Sequence, residues 1–153
     1  MKLAEALQER ADLNRKLASL TTRLTSNCLV QEGERPAEDP AALLAELDET
    51  TARLALLISR INRTNCATAL DGRTVTDVIA EKDSLKAKLE AYRQVIYEAS
   101  QTARRASHTE IRILSAVDVP AMQKQADAMA KRIRMLDNAL QACNWSTELL
   151  DIE

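Results

Sequence analysis

Eight side chains in the last third of the chain, Val119, Met122, Ala126, Met129, Ile133, Leu136, Leu140 and Cys143, fall at alternating steps of three and four residues. All eight are apolar. That spacing is the seam of a helix packed lengthwise against another helix. The intervening Gln123, Lys124, Gln125, Asp127, Lys131, Arg132, Arg134 and Asp137 are polar, so the helix is dry on one side and wet on the other.

Three more segments repeat the pattern. The first runs Leu3, Ala6, Arg10, Leu13, Leu17, Leu20 and Leu24. The second runs Leu44, Leu47, Thr51, Leu54, Ile58, Ile61 and Asn65. The third runs Val75, Val78, Lys82, Leu85, Leu89, Tyr92, Ile96, Ala99 and Ala103. Four helices of roughly 22 to 30 residues follow, each about 33 to 45 Å long. The expected fold is all-α: an antiparallel four-helix bundle of long helices in one domain, residues 1–153, with one short extended segment before the last helix.

Helix breakers sit where the stripes stop. Gly33, Pro36 and Pro40 separate the first two helices, Asp71 and Gly72 the next two, and Pro120 opens the fourth; these are both glycines and all three prolines of the chain. In a helix interior Gly costs about 1 kcal/mol and Pro about 3 relative to Ala, so long helices exile them to connections. Asp39 before Pro40 reads as an N-cap followed by proline at the first helical position. Thr74 or Thr76 is placed to cap the third helix.

At 153 residues one domain buries roughly 68 to 70% of its unfolded surface. The chain has 21 basic and 23 acidic residues, net charge −2, without a run of like charge. That argues against nucleic acid as a partner. No apolar run approaches the roughly 18 residues of a membrane span, and the first sixteen residues lack the apolar core of a signal peptide. A cytoplasmic protein with no membrane partner and no cofactor is expected. Cys28, Cys66 and Cys143 are odd in number and far apart, without a CxxC pair, and read as buried or half-buried thiols acting as small hydrophobes.

The segment from Ser107 to Val119, SHTEIRILSAVDV, is rich in β-branched residues and partly alternating. It suits a short strand with His108, Glu110 and Arg112 on one face. A strand needs a pairing partner, and the chain offers the C-terminal Trp145 to Ile152 or a second copy of the same segment, the latter pointing to a homo-oligomer. The secondary stripes Leu7, Ala11 and Ala18, and Leu43, Leu56 and Leu57, are further candidate interfaces, since the second helix carries more leucines than one seam absorbs.

Two constellations offer chemistry. His108, Glu110 and Asp118 are candidate metal ligands, one imidazole with two carboxylates; the plain alternative is a polar strand face. The seams also contain polar residues, Arg10, Asn14, Asn65 and Lys82, which must be paired, reach water or line a cavity. Asn62, Asn65, Arg73, Asp77, Glu81 and Asp83, near the Asp71-Gly72 turn, are candidate ligand-binding residues for an unidentified small molecule. Two alternatives stand beside that: the polar positions fix helix register, or the heptad is read one residue off. No catalytic residue is assigned. Glycine-rich phosphate loops and paired Glu-x-x-His motifs are absent from the sequence.

The runs Ile61-Asn62-Arg63-Thr64-Asn65, Asp71-Gly72-Arg73-Thr74, Glu81-Lys82-Asp83, Glu110-Ile111-Arg112, Val117-Asp118-Val119, Asp137 through Gln141, and Asn144-Trp145 together resemble the septicolysin-like family of small bacterial helical proteins. The similarity spans nearly the whole chain. The family pattern has an arginine where this chain has Lys82, a change that keeps charge but not fork geometry. The resemblance implies a helical protein without an assigned activity, and its label a membrane-active lysin. The residues themselves favour a self-associating structural or interaction protein over an enzyme, with a small-ligand or metal binder as the alternative.

Overall fold

The computed structural model describes residues 1–102 and 111–151. Four long helices dominate it: α1 (Leu3–Asn27), α2 (Pro40–Ala67), α3 (Val75–Ala99) and α4 (Val119–Ser146). Two strands of two residues, β1 (Ala69–Leu70) and β2 (Arg73–Thr74), pair between α2 and α3. The all-helical class is as the stripes predict. By its contacts the chain divides into two compact units, Met1–Ala69 with Cys143–Glu153, and Leu70–Ala142.

In the first unit α1 and α2 run antiparallel, as their ion pairs show. Glu9 meets Arg53, Lys16 meets Glu46 at 2.8 Å, and Arg23 meets Glu38 just ahead of α2, so numbers rise along one segment as they fall along the other. Between these pairs lies an aliphatic seam. Leu3, Ala6, Leu13, Leu57, Ile61 and Leu149 form its buried cluster, with Leu7 and Leu54 packed against it. The α1 stripe is the expected one: Leu3, Ala6, Leu13 and Leu20 are buried.

The α2 stripe is not. Its seam runs through Leu43, Leu47, Thr50, Leu54, Leu57, Ile61 and Thr64, with Leu44 left 51% exposed. The alternative of a heptad read one residue off is the correct one. Leucines at both 43 and 44, and at both 56 and 57, make two adjacent stripes almost equally apolar. Burying two threonines in the chosen one costs little, because Thr50 donates to Glu46 O at 2.7 Å and Thr64 to Arg60 O at 2.8 Å. Leu43 and Leu57 are therefore core residues rather than interface candidates, whereas Leu56 is exposed.

The end of the chain closes this unit. After α4, Thr147 accepts a hydrogen bond from Leu3 N (2.9 Å) and Leu149 N donates to Met1 O (2.9 Å), an antiparallel bridge between Lys2 and Glu148. Leu150 N donates to Thr64 Oγ1 at 3.0 Å, and Arg60 Nε donates to Leu150 O at 3.0 Å. Leu149 drops into the α1–α2 core, a burial worth about 1.5 to 3 kcal/mol.

The second unit begins at a tight hairpin. Asp71 (φ 50°) and Gly72 (φ 76°) both have positive φ, the type I′ pattern that Asp-Gly adopts at least cost. Thr74 then caps α3, its Oγ1 accepting from Asp77 N (3.1 Å) while Asp77 accepts from Thr74 N (3.2 Å). That is a capping box with aspartate in the role of glutamate. Asp118 caps α4 by accepting from Ala121 N at 3.0 Å. Pairings of Glu81 with Arg132, Lys82 with Asp137 and Tyr92 with Gln125 set α3 and α4 antiparallel.

Of the strand expected over Ser107–Val119, residues 107–110 lie outside the described residues and the rest forms no strand. Residues 111–118 join no ladder, and α4 already begins at Val119; the alternation there is too short and too exposed to bury a face. His108 and Glu110 lie outside the described residues. The cysteines also depart from expectation: Cys143 is buried, but Cys28 and Cys66 are exposed, because each follows the last buried turn of its helix.

Thr64 is the hinge of the α2–tail contact, donating to one backbone group and accepting from another. Thr64→Val keeps the shape and orphans the Leu150 amide; the urea midpoint is expected to fall by the equivalent of about 1 to 3 kcal/mol.

Candidate functional site

The residues proposed for ligand binding divide between the two units. Asn62 and Asn65 lie near the end of α2, Asn62 exposed and Asn65 half-buried. In the second unit the charges satisfy one another. Glu81 Oε2 faces Arg73 Nη1 at 2.7 Å, and Glu81 Oε1 accepts from Arg132 Nε at 2.9 Å. Two guanidinium groups hold the Glu81 carboxyl below its ordinary range, the Arg73 contact contributing most. Asp77 is also pulled down, chiefly by the Thr74 hydroxyl, and is spent on the cap. Lys82, the cation in the α3 stripe, is largely covered and reaches Asp137 at 3.0 Å. Asp83 is exposed.

The structure thus brings Arg73 and Glu81 together and adds Arg132 and Asp137, which the sequence reading had not assigned to this cluster. The signal was available: Arg132 and Asp137 lie beside the α4 stripe, where flanking charges reach across to a neighbouring helix. The other seam residues are unremarkable in chemistry. Arg10 is half-buried, and Asn14 is exposed with its side-chain amide bonded to Arg10 O.

Of the metal candidates, Asp118 is exposed and uses one carboxylate oxygen on the α4 cap. Among the described residues no group of three or more His, Cys, Asp or Glu side chains is arranged to hold a metal.

The first unit presents a different kind of surface. Met1, Glu9, Arg53, Leu56, Leu57 and Arg60 line a shallow depression of about 160 Å³. Met1 is 54% exposed, Leu56 56%, and Leu150, whose carbonyl Arg60 holds, 44%. Charged pairs surround these apolar groups: Arg53 with Glu9, Arg60 with Asp151, and Lys2 with Glu148 at 2.6 Å. Lys2, together with the amino group of Met1, lowers the Glu148 carboxyl from its usual range. Exposed apolar side chains thus sit inside a border of ion pairs. Sequence reasoning found Leu56 and missed Met1, Arg60 and Leu150, because their grouping depends on where the end of the chain docks.

A second apolar groove, of about 580 Å³, lies in the second unit between the last turns of α3 and residues 113–117, with Ala91, Val95, Ala99, Ile113, Leu114 and Val117 among its walls. Among the described residues that line it, Glu98 is the one charged side chain.

Residues 10–149 match the model of a family of unknown function, DUF6847. The chain belongs to this family. It is also similar to a solved structure, described as a functionally unknown conserved protein from Corynebacterium diphtheriae, with 38% identity, 98% of this chain and 99% of that one covered, and a TM-score of 0.92. A search of curated proteins finds no match. Among the described residues of this DUF6847 member, no helix is long and apolar enough to cross a membrane.

The Glu81 pairing has a pH signature. A carboxyl whose folded value lies below its ordinary 4.5 contributes stability above that pH and loses it as pH falls through the folded value. Glu81→Gln is expected to lower the melting temperature at neutral pH, with the difference from the parent chain shrinking steadily below about pH 4.5. Thermal melts across that range check it.

Proposed function

We propose that this DUF6847 member is a self-associating interaction protein and that copies meet on the face around Met1, Leu56 and Leu150. The observation that carries the reading is Leu56 itself. It is a large aliphatic side chain on a helix whose seam is already complete, exposed beside Met1 and ringed by ion pairs. Water gains by its removal from the surface, and a second copy supplies a cover of matching chemistry. The border charges, with both signs present, suit an isologous contact in which each patch faces itself.

Ligand binding at Asn62, Asn65, Arg73, Asp77, Glu81 and Asp83 has less support, since Arg73 and Glu81 neutralise each other and Asp77 is spent on capping. The membrane-active reading attached to the septicolysin-like resemblance would require α1 or α2 to turn its apolar stripe outward. Those stripes are the α1–α2 core.

Leu56→Glu places a charge at the centre of the face while leaving the buried seam intact. The expected result by light scattering is a lower mass, with association weakened roughly 100-fold or more and an unchanged helical circular dichroism spectrum. An unchanged mass removes this face as the interface. Purified protein is expected to release no dye from liposomes at micromolar concentration, and leakage would favour the lysin reading instead.

A further inference from the structure

We propose that the segment Thr147–Asp151 is an exchangeable strand, and that the slot it fills on α1 and α2 takes the same segment of a second copy. The proposal deepens the self-association reading by naming the element exchanged; the slot itself is testable without it.

The slot reads an extended backbone in the manner of strand addition. Leu3 N donates to Thr147 O and Met1 O accepts from Leu149 N, both at 2.9 Å. On the α2 side Thr64 Oγ1 accepts from Leu150 N and Arg60 Nε donates to Leu150 O, both at 3.0 Å. Side chains supply the selectivity. Lys2 holds Glu148, Arg60 holds Asp151, and between these two charge contacts Leu149 is buried as a member of the α1–α2 cluster that includes Leu3, Ala6, Leu57 and Ile61. The recognised sequence is acid, apolar, apolar, acid, framed by two cations.

The segment is held lightly for something so specific. Leu149 is its one buried side chain; Glu148, Leu150 and Asp151 are exposed. The helix before it ends independently, with Thr147 N donating to Cys143 O, so the strand can leave without unwinding α4. A stretch with few buried contacts at an element's end is the kind that opens ahead of the rest. A second copy carries the same segment and forms the same bonds, so exchange sacrifices no contact. Position favours it too: Leu150 and Met1 belong to the proposed face and Arg60 lines its depression, so copies meeting there bring two such strands side by side.

The test uses full-length Leu149→Asp, whose own strand is expelled by the buried charge, and a labelled peptide of residues 145–151, Trp-Ser-Thr-Glu-Leu-Leu-Asp. Saturable binding to the variant is expected, at least about tenfold weaker to the parent chain, whose slot is filled. A peptide bearing Leu149→Asp is expected to bind neither. Absence of binding to a folded variant, or binding indifferent to the peptide substitution, overturns the slot. Should the variant not fold, hydrogen exchange on the parent chain decides: the Leu149 and Leu150 amides are expected to exchange at least about tenfold faster than that of Ile61. Exchange in step overturns the proposal. Excess peptide is also expected to lower the mass of the assembled parent chain. Peptide binding with a constant mass retains the slot and removes the second copy as its occupant. An unchanged mass for Leu56→Glu with peptide binding intact removes the face alone.

Discussion

The aliphatic contact between α1 and α2 is the interaction on which the first unit rests. It is built almost without aromatics: the chain has no phenylalanine, one tryptophan and two tyrosines. Leucine, isoleucine and alanine therefore carry the packing, in the interdigitated manner that heptad spacing permits. An aliphatic seam is strong but poorly discriminating, because leucine one position along fits nearly as well. What selects the observed alignment is the charge written beside it. Glu9, Lys16 and Arg23 stand seven residues apart on α1, opposite Arg53 and Glu46 on α2 and Glu38 just ahead of it. Each exposed pair contributes little alone, about 0 to 1 kcal/mol. A one-residue slip of α2 would misplace the set together.

The same division of labour appears in the second unit, where apolar residues bury and charges align. Val75, Val78 and Leu89 on α3, and Ala126, Leu136 and Leu140 on α4, are the buried positions. Lys82 sits within the α3 stripe and would be a liability if unpaired; Asp137 on α4 answers it. Glu81 collects Arg132 from α4 and Arg73 from the hairpin, tying the turn to both helices. Arg73 and Glu81, two of the residues considered for a ligand, and the seam cation Lys82 are thus each engaged in an ion pair within this unit.

Three of the four stripes, apart from Ala103, which lies outside the described residues, the exile of Gly and Pro to connections, the Asp39 cap and the Asp71-Gly72 turn were legible in the sequence, and the α3 cap was narrowed to Thr74 or Thr76. Each depends on local chemistry within a few residues. The α2 register was not, because choosing between Leu43 and Leu44 depends on which face meets Lys16 and Arg23 across the helix pair. The expected strand over Ser107–Val119 drew on β-branched composition and partial alternation, and over the described residues 111–118 neither is matched by a partner that makes a ladder. The candidate interface was half legible. Surplus leucine on α2 pointed to Leu56, but Met1, Arg60 and Leu150 come together only through a contact between the two ends of the chain, which no local pattern encodes.

The distribution of the few aromatic side chains carries the argument about surfaces one step further. Trp145 is 54% exposed and Tyr97 61% exposed, while Tyr92 is half-buried with its hydroxyl on Gln125. A chain short of aromatics would be expected to spend them where each buries the most area, in the core. This one leaves its tryptophan and one tyrosine in water and fills its interior with leucine. Exposed Trp and Tyr are the side chains that anchor protein contacts at low entropic cost. Trp145 belongs to the unit that carries Leu56 and Leu150, just ahead of the strand that closes it. Leu56, Leu150 and Trp145 thus stand exposed on one unit, and that grouping is what supports the proposed association.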